Sequence, residues 1–469
     1  MPRIPDQILT VAQMRAAEDA LIAGGTSVDE LMQRAGRSAA DWVWRVAANH
    51  RVTVLCGPGN NGGDGYVIAE AIRTRGGSVA VIAATEPKTD AARVARDLYR
   101  GDVFGPEADL HGEVFVDCLF GSGLTRSLQS GHVTLLTRLA ASHRHRVAID
   151  LPSGVEADTG ARLNPDLPNF DLTISLGAWK FAHFLMPASA SMGALRLVGI
   201  GVKVLPGAAT VVRHPALHAP AVDAHKYRRG LLGVVGGAMP GAALLACTAA
   251  QGAGAGYVKL FTRLAITTPP DLVVDSRPVS EVLGDARLAA LLIGPGLGRG
   301  SSARDKLEEV LAADIPIVLD ADALVELRPQ VLGVRLRPII ATPHEGELAV
   351  LEQNFGLPSE GSKVDRAMRL SLACGMVIVA KGPDTVIAVP DGRIACTARA
   401  SSWLSVAGTG DVLAGTIASR LATGADEFAA ACEGVWLHSE AARLAPKPFT
   451  ASQLAAMVPA AYAAACEHS

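Results

Sequence analysis

Short apolar runs alternate with longer helical segments along most of the chain, and this alternation restricts the fold more than any other feature. Runs of four to eight apolar residues bounded by turn residues are typical of buried strands. In the first half we predict strands at 51–57, 78–84, 114–120, 146–150 and 171–178, and helices at 66–76 and 90–100. Because strands that alternate with helices build βαβ units, the sequence predicts an α/β fold with mainly parallel sheets.

A second series of strands and helices follows an interruption. Residues 205–222 are rich in Pro, Ala and His and have no clear periodicity, which indicates a linker or a domain edge. From residue 230 the alternation resumes, and we predict helices from 242, near 303–313, and near 411–423 and 426–444. A length of 469 residues also favours two domains. We therefore expect two α/β domains, 1–205 and 222–469, the first of them Rossmann-like with a parallel sheet.

Composition excludes several classes of protein. Hydrophobic residues make up 49% and charged residues 19%, which suits large buried cores and excludes general disorder. The net charge of −3 gives no reason to expect nucleic acid or a membrane as a partner. The uncharged stretch from Gly230 to Val258 contains Pro240 and many glycines, so strand, turn and helix fit it better than a spanning helix. Seven Cys without a CxxC pair, and no signal-peptide core, predict reduced thiols and a cytoplasmic location.

The segment GPGNNGGDG (57–65) carries the strongest functional signal of the first half, since it follows a predicted strand and precedes a predicted helix. Its glycines allow the backbone to approach a ligand closely, and amides at a helix start favour an anionic group. Asn60, Asn61 and Asp64 add polar side chains. A purely structural glycine turn is the alternative.

Two further strand ends carry polar groups. VDCLFGSGLTR (116–126) contains Asp117, and AIDLPSGV (148–155) contains Asp150 and Ser153. Ligands of open parallel sheets bind outside the carboxyl ends of the strands, so we expect these residues and Asn61 to meet in one crevice. Their oxygens suit a hard cation, although each aspartate alone also fits a turn or cap. Lys180 is open to two interpretations, a cationic contact or a solvated side chain.

In the second half, GTGDVLAGTIASRLATG (408–424) predicts a tight glycine turn into a helix with Asp411 in its first turn. Amides there can hold a phosphate, and the aspartate can act as a base on an attacking hydroxyl. A capped helix after a glycine turn is the structural alternative. Further strand ends carry GPGLGR (294–299), LDADAL (319–324), PHEGE (343–347) and KGPDT (381–385), which favours a site role for His344.

The three first-half motifs resemble the NAD(P)H-hydrate epimerase family, and the similarity spans nearly all of residues 10–200. The reaction of this family needs a proton donor and acceptor near the substrate hydroxyl, and we expect Asp150 to take that role. The resemblance also implies substrate contacts at Asn60, Asn61, Gly62, Gly63, Asp64, Gly121, Ser122, Gly123, Leu124, Thr125, Arg126, Ser127 and Asp150, and potassium ligands at Asn61, Asp117 and Ser153.

The second-half motifs resemble the ADP- or ATP-dependent NAD(P)H-hydrate dehydratases, which are ribokinase-like α/β proteins, over about 222–445. The sequence departs from the family at PHEGE, where PHPGE is expected. The resemblance implies catalysis by Asp411, substrate contacts at Ala242, Gly296, His344 and Asp411, and nucleotide contacts at Lys381, Gly382, Pro383, Asp384, Thr385 and Gly410.

Together the resemblances imply a repair enzyme that epimerises the R and S forms of hydrated NADH or NADPH and dehydrates the S form, converting ADP to AMP and phosphate. They imply K⁺, Mg²⁺ and ADP or ATP, and we expect small-molecule partners only and a homo-oligomer. The resemblances leave open whether the co-substrate is ADP or ATP. They also leave open whether hydrated NADH (NADHX) or hydrated NADPH (NADPHX) is the preferred substrate. Two alternatives are a vitamin or sugar kinase fused to a dinucleotide-binding module, and a non-catalytic nucleotide sensor.

Overall fold

The computed structural model describes residues 6–333 and 336–466. The chain divides into two compact units between Thr210 and Val211. Both units are α/β structures built on parallel sheets, which confirms the predicted fold class. The predicted domain limits, 1–205 and 222–469, begin and end outside the described residues and stay a prediction.

The first unit is a parallel sheet covered by helices. Its strand order is β4-β3-β2-β5-β6-β7-β8, and every neighbouring pair is parallel. Central strands such as β2 and β7 are fully buried, as expected when helices cover both faces of a sheet. The helices are α1 (Val11–Ala23), α2 (Val28–Ala47), α3 (Asn60–Thr74), α4 (Asp90–Leu98) and α5 (Ser130–Ala141); the strands are β1 (Gln7–Ile8), β2 (Val52–Cys56), β3 (Val79–Ala83), β4 (Val103–Phe104), β5 (Gly112–Cys118), β6 (His143–Ile149), β7 (Leu172–Leu176), β8 (Ala194–Val198) and β9 (Ala209–Val211).

Strand order reverses between β2 and β5 in this sheet. The carboxyl ends of β2, β5 and β6 therefore lie side by side at a topological switch point, where open α/β sheets bind their ligands. The short β1 pairs antiparallel with β9 and is not part of this sheet.

Helix α3 begins earlier than the sequence predicts. It starts at Asn60 rather than Tyr66, so NNGGDG forms its first turns instead of a loop before it. Gly62 and Gly63 are poor helix formers, but an added Cβ at Gly62 would lie 1.9 Å from the Gly57 carbonyl oxygen. Tertiary packing therefore overrides the low helix propensity here.

Two segments of the first unit, 10–13 and 27–30, match the capping-box sequence pattern, and the structure completes only one of them. Thr10 and Gln13 form the complete reciprocal pair at the start of α1. Ser27 caps α2 by accepting from the Glu30 amide at 3.1 Å, whereas the Glu30 carboxylate pairs with Arg34 at 2.5 Å. Only half of the second box is therefore present.

The second unit has a larger sheet with the order β12-β11-β10-β13-β14-β15-β16-β17-β18. All neighbouring pairs from β12 through β10 to β16 in this order are parallel. β17 pairs antiparallel with β16, and β18 pairs antiparallel with β17. The strands are β10 (Leu231–Val235), β11 (Tyr257–Phe261), β12 (Val273–Asp275), β13 (Leu288–Ile293), β14 (Ile317–Leu319), β15 (Ile339–Ala341), β16 (Val377–Ala380), β17 (Val386–Ala388) and β18 (Ile394–Cys396); the helices are α6 (Pro240–Gly252), α7 (Val279–Val282), α8 (Ser301–Ala312), α9 (Asp322–Glu326), α10 (Glu345–Asn354), α11 (Lys363–Cys374), α12 (Thr409–Ala422), α13 (Glu427–Leu444) and α14 (Ala451–Cys466).

Strand order reverses in this sheet between β10 and β13. Helix α14 was not predicted, because its Ala-rich sequence is apolar without a clear period and contains Pro459. It packs on α13 and α6 and buries Leu454 and Val458. All seven cysteines are free. Within 6–333 and 336–466, every helix is too short or too polar to cross a membrane.

Candidate active sites

In the first unit, the four residues predicted to meet at the carboxyl edge of the sheet do so. Asn61 Nδ2 donates to the carbonyl oxygen of Ile149 at 3.2 Å, which ties α3 to the end of β6. Ser153 Oγ donates to Asp117 Oδ1 at 2.7 Å, and the Ser153 amide donates to Oδ2 at 2.9 Å. Asp150 directly follows β6. The switch point of the sheet therefore gathers Asn61, Asp117, Asp150 and Ser153.

Asp150 is a buried carboxylate in a left-handed backbone conformation, with φ of 65°. Non-glycine residues rarely adopt this conformation, and it recurs at functional sites. Oδ2 accepts from the Ser122 amide at 3.1 Å, and Oδ1 accepts from the Lys180 ammonium and, at 3.4 Å, from the Leu176 amide. Burial by itself raises the pKa of Asp150, but Lys180 and, less strongly, Ser122 hold it below its ordinary value. Asp150 is therefore ionised.

Lys180 is the paired cation rather than a solvated side chain. It is 1% exposed, and its Nζ also donates to the Leu176 carbonyl oxygen at 2.7 Å. His183 Nδ1 accepts from the Lys180 amide at 2.9 Å, and its Nε2 lies 2.9 Å from the Asp150 carbonyl oxygen. Burial, reinforced by Lys180, lowers the pKa of His183 to about 4, so this imidazole is neutral. Sequence reasoning missed His183, since only the fold brings it to Asp150.

Two more carboxyl groups face the same ion pair. Burial, reinforced by Asp150 and Glu18, raises the pKa of Asp64 well above its ordinary value. Burial also raises the pKa of Glu18, a residue of α1 that no motif indicated. The site therefore combines a carboxyl group whose pKa is lowered, Asp150, with one whose pKa is raised, Asp64.

Asp117 and Asn61 offer oxygen atoms of two kinds. Asp117 is fully buried and also accepts from the Leu119 amide at 3.0 Å; burial raises its pKa to about 6 despite these hydrogen bonds. Asn61 Oδ1 is buried and has no hydrogen-bond partner within the described part of the chain. An orphaned amide oxygen near a carboxylate and a hydroxyl is a donor set for a hard monovalent cation. These residues therefore fit the expected K⁺.

The two predicted substrate loops of the first unit are only partly drawn into the crevice. A Cβ at Gly121 would lie 3.2 Å from Asp150 Oδ2 and 3.3 Å from Asn61 Cγ, so this loop start lies against the reactive groups. Gly63 instead packs on Met32. The loop end is exposed, and Ser127 Oγ donates to the Leu163 carbonyl oxygen at 2.7 Å. The exposed residues among those predicted are Asn60, Gly123, Thr125, Arg126 and Ser127, and Leu124 is half-buried.

In the second unit, the GTGD turn forms the start of α12 as predicted. Gly408 is its N-cap with φ of 93° and provides no side-chain cap. The amides of Gly410 and Asp411 lie in the first helical turn, so they have no acceptor within the helix and can face a phosphate. His438 Nε2 lies 2.9 Å from the Thr409 carbonyl oxygen; burial lowers its pKa to about 4 and keeps it neutral. Sequence reasoning missed His438.

Asp411 lies in a cluster of acids around one lysine. Lys381 Nζ is 2.6 Å from Asp320 Oδ1 and 3.8 Å from Glu347 Oε2. Burial lowers the pKa of Lys381, but Asp320 and Glu347 outweigh it and raise the pKa above the ordinary value. Burial and then Asp320 raise the pKa of Asp411 to about 6, against the opposing effect of Lys381. Asp320, at the end of β14, was not among the predicted site residues.

His344 is the N-cap of α10 and its side chain is 61% exposed. Its Nδ1 accepts from the amides of Gly346 at 2.9 Å and Glu347 at 3.2 Å, which leaves the proton on Nε2. Glu347 completes the capping box by accepting from the His344 amide at 2.8 Å. Glu345, the departure from the family pattern, starts the helix and pairs with Arg366.

Ala242 and Gly296, the other predicted substrate contacts, are neighbours. A Cβ at Gly296 would lie 3.1 Å from the Ala242 Cβ. The loops after β10 and β13 are joined by the Met239 amide, which donates to the Gly296 carbonyl oxygen at 2.9 Å. Two strand ends at the switch point thus form one wall.

The segment Lys381–Thr385 is a compact turn between β16 and β17. Gly382 donates to Thr385 Oγ1 at 3.3 Å, and Pro383 accepts from the Ala400 amide at 2.9 Å. The Asp384 carboxylate is buried and pairs with Lys363, which the motif did not indicate. A Cβ at Gly410 would lie 3.4 Å from Lys381 Nζ, so the turn and α12 face the same space.

Comparisons with known proteins match both units. The sequence model described as NAD(P)H-hydrate dehydratase matches residues 232–461, and that described as YjeF-related protein N-terminus matches 28–182. Proteins named bifunctional NAD(P)H-hydrate repair enzyme Nnr are similar along nearly the whole chain. The protein from Synechocystis sp. is 31% identical over 94% of this chain and 91% of its own, and that from Salinibacter ruber is 31% identical over 96% and 95%. A Bacillus subtilis ADP/ATP-dependent NAD(P)H-hydrate dehydratase co-crystallised with ATP/Mg²⁺ is 29% identical over 53% of this chain and 95% of that chain, with a TM-score of 0.48.

Proposed function

The chain belongs to the family of bifunctional NAD(P)H-hydrate repair enzymes, and from this premise we propose how its residues divide the work. Residues 1–205 form the epimerase domain and 222–469 the dehydratase domain. Family membership favours this function over the kinase fusion and the sensor. Two aspartates, the buried Asp150 and the partly buried Asp411, each beside a glycine turn near the ends of a parallel sheet, carry the assignment of the chemistry.

In the epimerase, Asp150 and Asp64 exchange protons with the hydroxyl of the hydrated nicotinamide. The ring nitrogen donates its lone pair, the C–O bond breaks, and the hydroxyl leaves as water after accepting a proton. In this proposal Asp64 is the donor, since burial and the neighbouring carboxylates raise its pKa and favour its protonated form, and ionised Asp150 accepts a proton from the water that returns to the other face. The loop residues 60–64 and 121–127 hold the substrate.

We assign the K⁺ ligands to Asn61, Asp117 and Ser153. Support comes from Asn61 Oδ1, a buried oxygen without a hydrogen-bond partner in the described residues. When bound, K⁺ supplies positive charge that neutralises Asp117 and fixes the strand ends. Replacing K⁺ by choline lowers epimerisation in this proposal, and Asn61→Leu abolishes the response to K⁺; a wild-type rate independent of K⁺ contradicts it.

In the dehydratase, Asp411 takes the proton from the substrate hydroxyl as that oxygen attacks the terminal phosphorus of ADP. AMP leaves, and the substrate oxygen carries the phosphoryl group. The ring nitrogen then expels phosphate, and loss of the neighbouring ring proton gives NAD(P)H. The amides of Gly410 and Asp411 stabilise charge on the transferred phosphoryl group. Ala242, Gly296 and His344 contact the hydrated dinucleotide.

The nucleotide contacts are Lys381, Gly382, Pro383, Asp384, Thr385 and Gly410. The proximity of Gly410 to Lys381 Nζ supports this set. Mg²⁺ suits the phosphates of a nucleotide and would neutralise their charge. We propose ADP as the preferred co-substrate and ATP as the alternative. Turnover measured with each nucleotide distinguishes the two.

The deciding experiment follows absorbance of the NADH band after hydrated NADH and ADP are added to the full chain. Conversion of both epimers, with release of inorganic phosphate, is the expected result. A phosphorylated product that accumulates without NADH would favour the kinase alternative. A cytoplasmic location, supported by seven free thiols, and the predicted homo-oligomer are tested separately by fractionation and light scattering.

A further inference from the structure

A cavity of about 720 Å³ opens at the carboxyl ends of β10, β11 and β13 in the second unit. It lies at the reversal of strand order between β10 and β13, which is where open α/β sheets bind ligands. Gly237 and Leu297 form part of its wall. Gly296 lies in the same loop as Leu297, and the loop of Gly237 leads into the first turn of α6, which contains Ala242, so the cavity adjoins the proposed dinucleotide contacts.

The cavity is lined by four cationic side chains, of which two are neutralised by neighbours. Arg277 pairs with Asp275 at 2.7 Å, and Arg299 pairs with Asp322 at 3.1 Å. The two carboxylates that also line it, Asp305 and Glu309, are exposed on α8. The four cationic residues are Arg263, Arg277, Arg299 and Lys306.

Arg263 and Lys306 are the cations left for a ligand. Within residues 6–333 and 336–466 neither forms an ion pair within 4.0 Å. Lys306 Nζ donates to the Gly236 carbonyl oxygen at 3.0 Å, so the ammonium is held at the end of β10. Burial and then Arg263 lower the pKa of Lys306 against the opposing effect of Glu309, so the two cations lie close enough to repel each other. The first turn of α8 adds Ser302, and its N-cap, Gly300, has no side chain to cap the helix amides.

The cavity lies on the side of the site where the dinucleotide binds, so a phosphate of the dinucleotide can reach it and the nucleotide co-substrate cannot. Lys381–Thr385 lies after β16, and β14 and β15 separate β16 from β13 in the sheet. A hydrated nicotinamide ring next to Asp411 and Gly296 has its pyrophosphate one ribose away, and NADPHX carries a further phosphate on its second ribose. Only the substrate side of the site therefore extends towards Arg263 and Lys306.

We propose that this cavity binds a phosphate group of the hydrated dinucleotide, with Arg263 and Lys306 as its cationic contacts. The proposal rests on the dehydratase function proposed above and adds a binding subsite to it. Two phosphates have this chemistry, the pyrophosphate shared by NADHX and NADPHX, and the 2′-phosphate of NADPHX alone.

The test is steady-state dehydration by the full chain at saturating ADP, with NADHX and NADPHX as separate substrates. Arg263→Gln combined with Lys306→Gln raises KM at least tenfold while kcat stays within twofold, because binding in the ground state and in the transition state weakens equally. A rise with both substrates assigns the pyrophosphate, and a rise with NADPHX alone assigns the 2′-phosphate. KM values within twofold of wild type for both substrates overturn the proposal.

The matched control is Arg287→Gln, which removes a cation at the other end of β13, where Arg287 pairs with Asp285 at 2.7 Å. It leaves KM unchanged. Arg263→Gln alone, at an exposed residue, tests the site if the double variant does not fold. Binding is measured independently by the thermal stabilisation that ADP-ribose and its 2′-phosphate give. Stabilisation of wild type but not of the variant supports the cavity even if turnover fails and the proposed function is wrong; equal stabilisation of both overturns it.

Discussion

Asp150 and Asp411 are residues of one type whose pKa values are displaced in opposite directions. Lys180 lies on Asp150 and holds its pKa low, whereas Asp411 shares its lysine with Asp320 and Glu347, so burial and like charge dominate. At neutral pH Asp150 is fully ionised. Asp411, with a pKa of about 6, changes its protonation state within the pH range of ordinary assays. The two reactions should therefore respond differently to pH.

Asp411→Asn should lower dehydration by about 10²–10⁴-fold, the usual contribution of a positioned base. As a base, Asp411 must be ionised, and its pKa is about 6. Wild-type kcat/KM should thus rise with pH below 6 and level off above it. The residual activity of the variant should lack this inflection. An unchanged inflection in Asp411→Asn would assign it to another group.

The same substitution should stabilise the protein at pH 8 more than at pH 5. The folded-state pKa of Asp411 is raised, so the folded state holds the proton more tightly and loses stability as pH rises from the ordinary value of 3.8 to about 6. The side-chain amide of the variant does not ionise, so the variant does not lose stability in this pH range through that residue. Thermal melts of both proteins at the two pH values measure it.

Asp150→Asn should abolish epimerisation, but it also leaves Lys180 buried without its counter-charge, at a cost of about 3–5 kcal/mol. The double variant Asp150→Asn with Lys180→Met removes both charges and should recover part of that stability. Chromatography of the R epimer should show no conversion by either variant. Epimerisation by a folded Asp150→Asn chain would reject the proton-transfer role.

At the residue scale, sequence reasoning found groups that directly follow strands and missed those brought in by packing. Asn61, Asp117 and Ser153 lie next to recognisable strand ends, and they meet as expected. Glu18 comes from α1 and His438 from α13, and nothing near them in sequence indicates a site. Such partners depend on tertiary contacts that local patterns do not contain.

At the scale of elements, the first turn of α3 is held against the strand ends without room for side chains. A Cβ at Gly57 would lie 1.8 Å from the Leu119 carbonyl oxygen, and one at Gly62 would lie 1.9 Å from that of Gly57. Propensity alone places the helix start later, at Tyr66, because it does not account for this packing. The glycines that the motif offers for ligand approach therefore also join helix to sheet.

Gly62→Ala should destabilise the first unit by about 1–3 kcal/mol or more, the cost of overpacking against fixed backbone. Gly59→Ala is the matched control, since a Cβ there meets nothing within 4 Å. Chemical denaturation followed by circular dichroism measures both. Equal midpoints for the two variants would contradict the close packing of α3.

Glu345→Pro should be tolerated, although it removes the ion pair with Arg366. Residue 345 is the first of α10, where proline fits because that amide has no partner within the helix. Arg366 keeps Glu352 at 2.8 Å. We expect a stability within about 1 kcal/mol of wild type, since Glu345 is the exposed partner of its pair and such contacts contribute little, and an unchanged KM for the dinucleotide. A large rise in KM would show that the departure from PHPGE shapes the site.

At the scale of the whole molecule, each unit has its own apolar core. Val54 and Ile68 lie in a core of the first unit, and Leu292 and Ile417 lie in a core of the second. The sequence predicts this organisation well, because the interruption at 205–222 separates two complete series of strands. The limits of the two activities follow less directly from sequence, since β9 spans the division at Thr210.

Two singly inactivated chains should complement each other. Asp150→Asn should dehydrate only the S epimer, and Asp411→Asn should interconvert the epimers without forming NADH. An equimolar mixture should convert all hydrated NADH, because the intermediate diffuses between molecules. Absorbance of the NADH band at completion measures this, and a mixture that stops at the S fraction would show that one unit requires the other in the same chain.

Separate cores also bear on how such a protein changes over generations. A substitution that unfolds one half leaves the other with an intact interior, so selection can discard or retune either reaction while preserving the second. Lineages are then free to encode the two halves as independent genes.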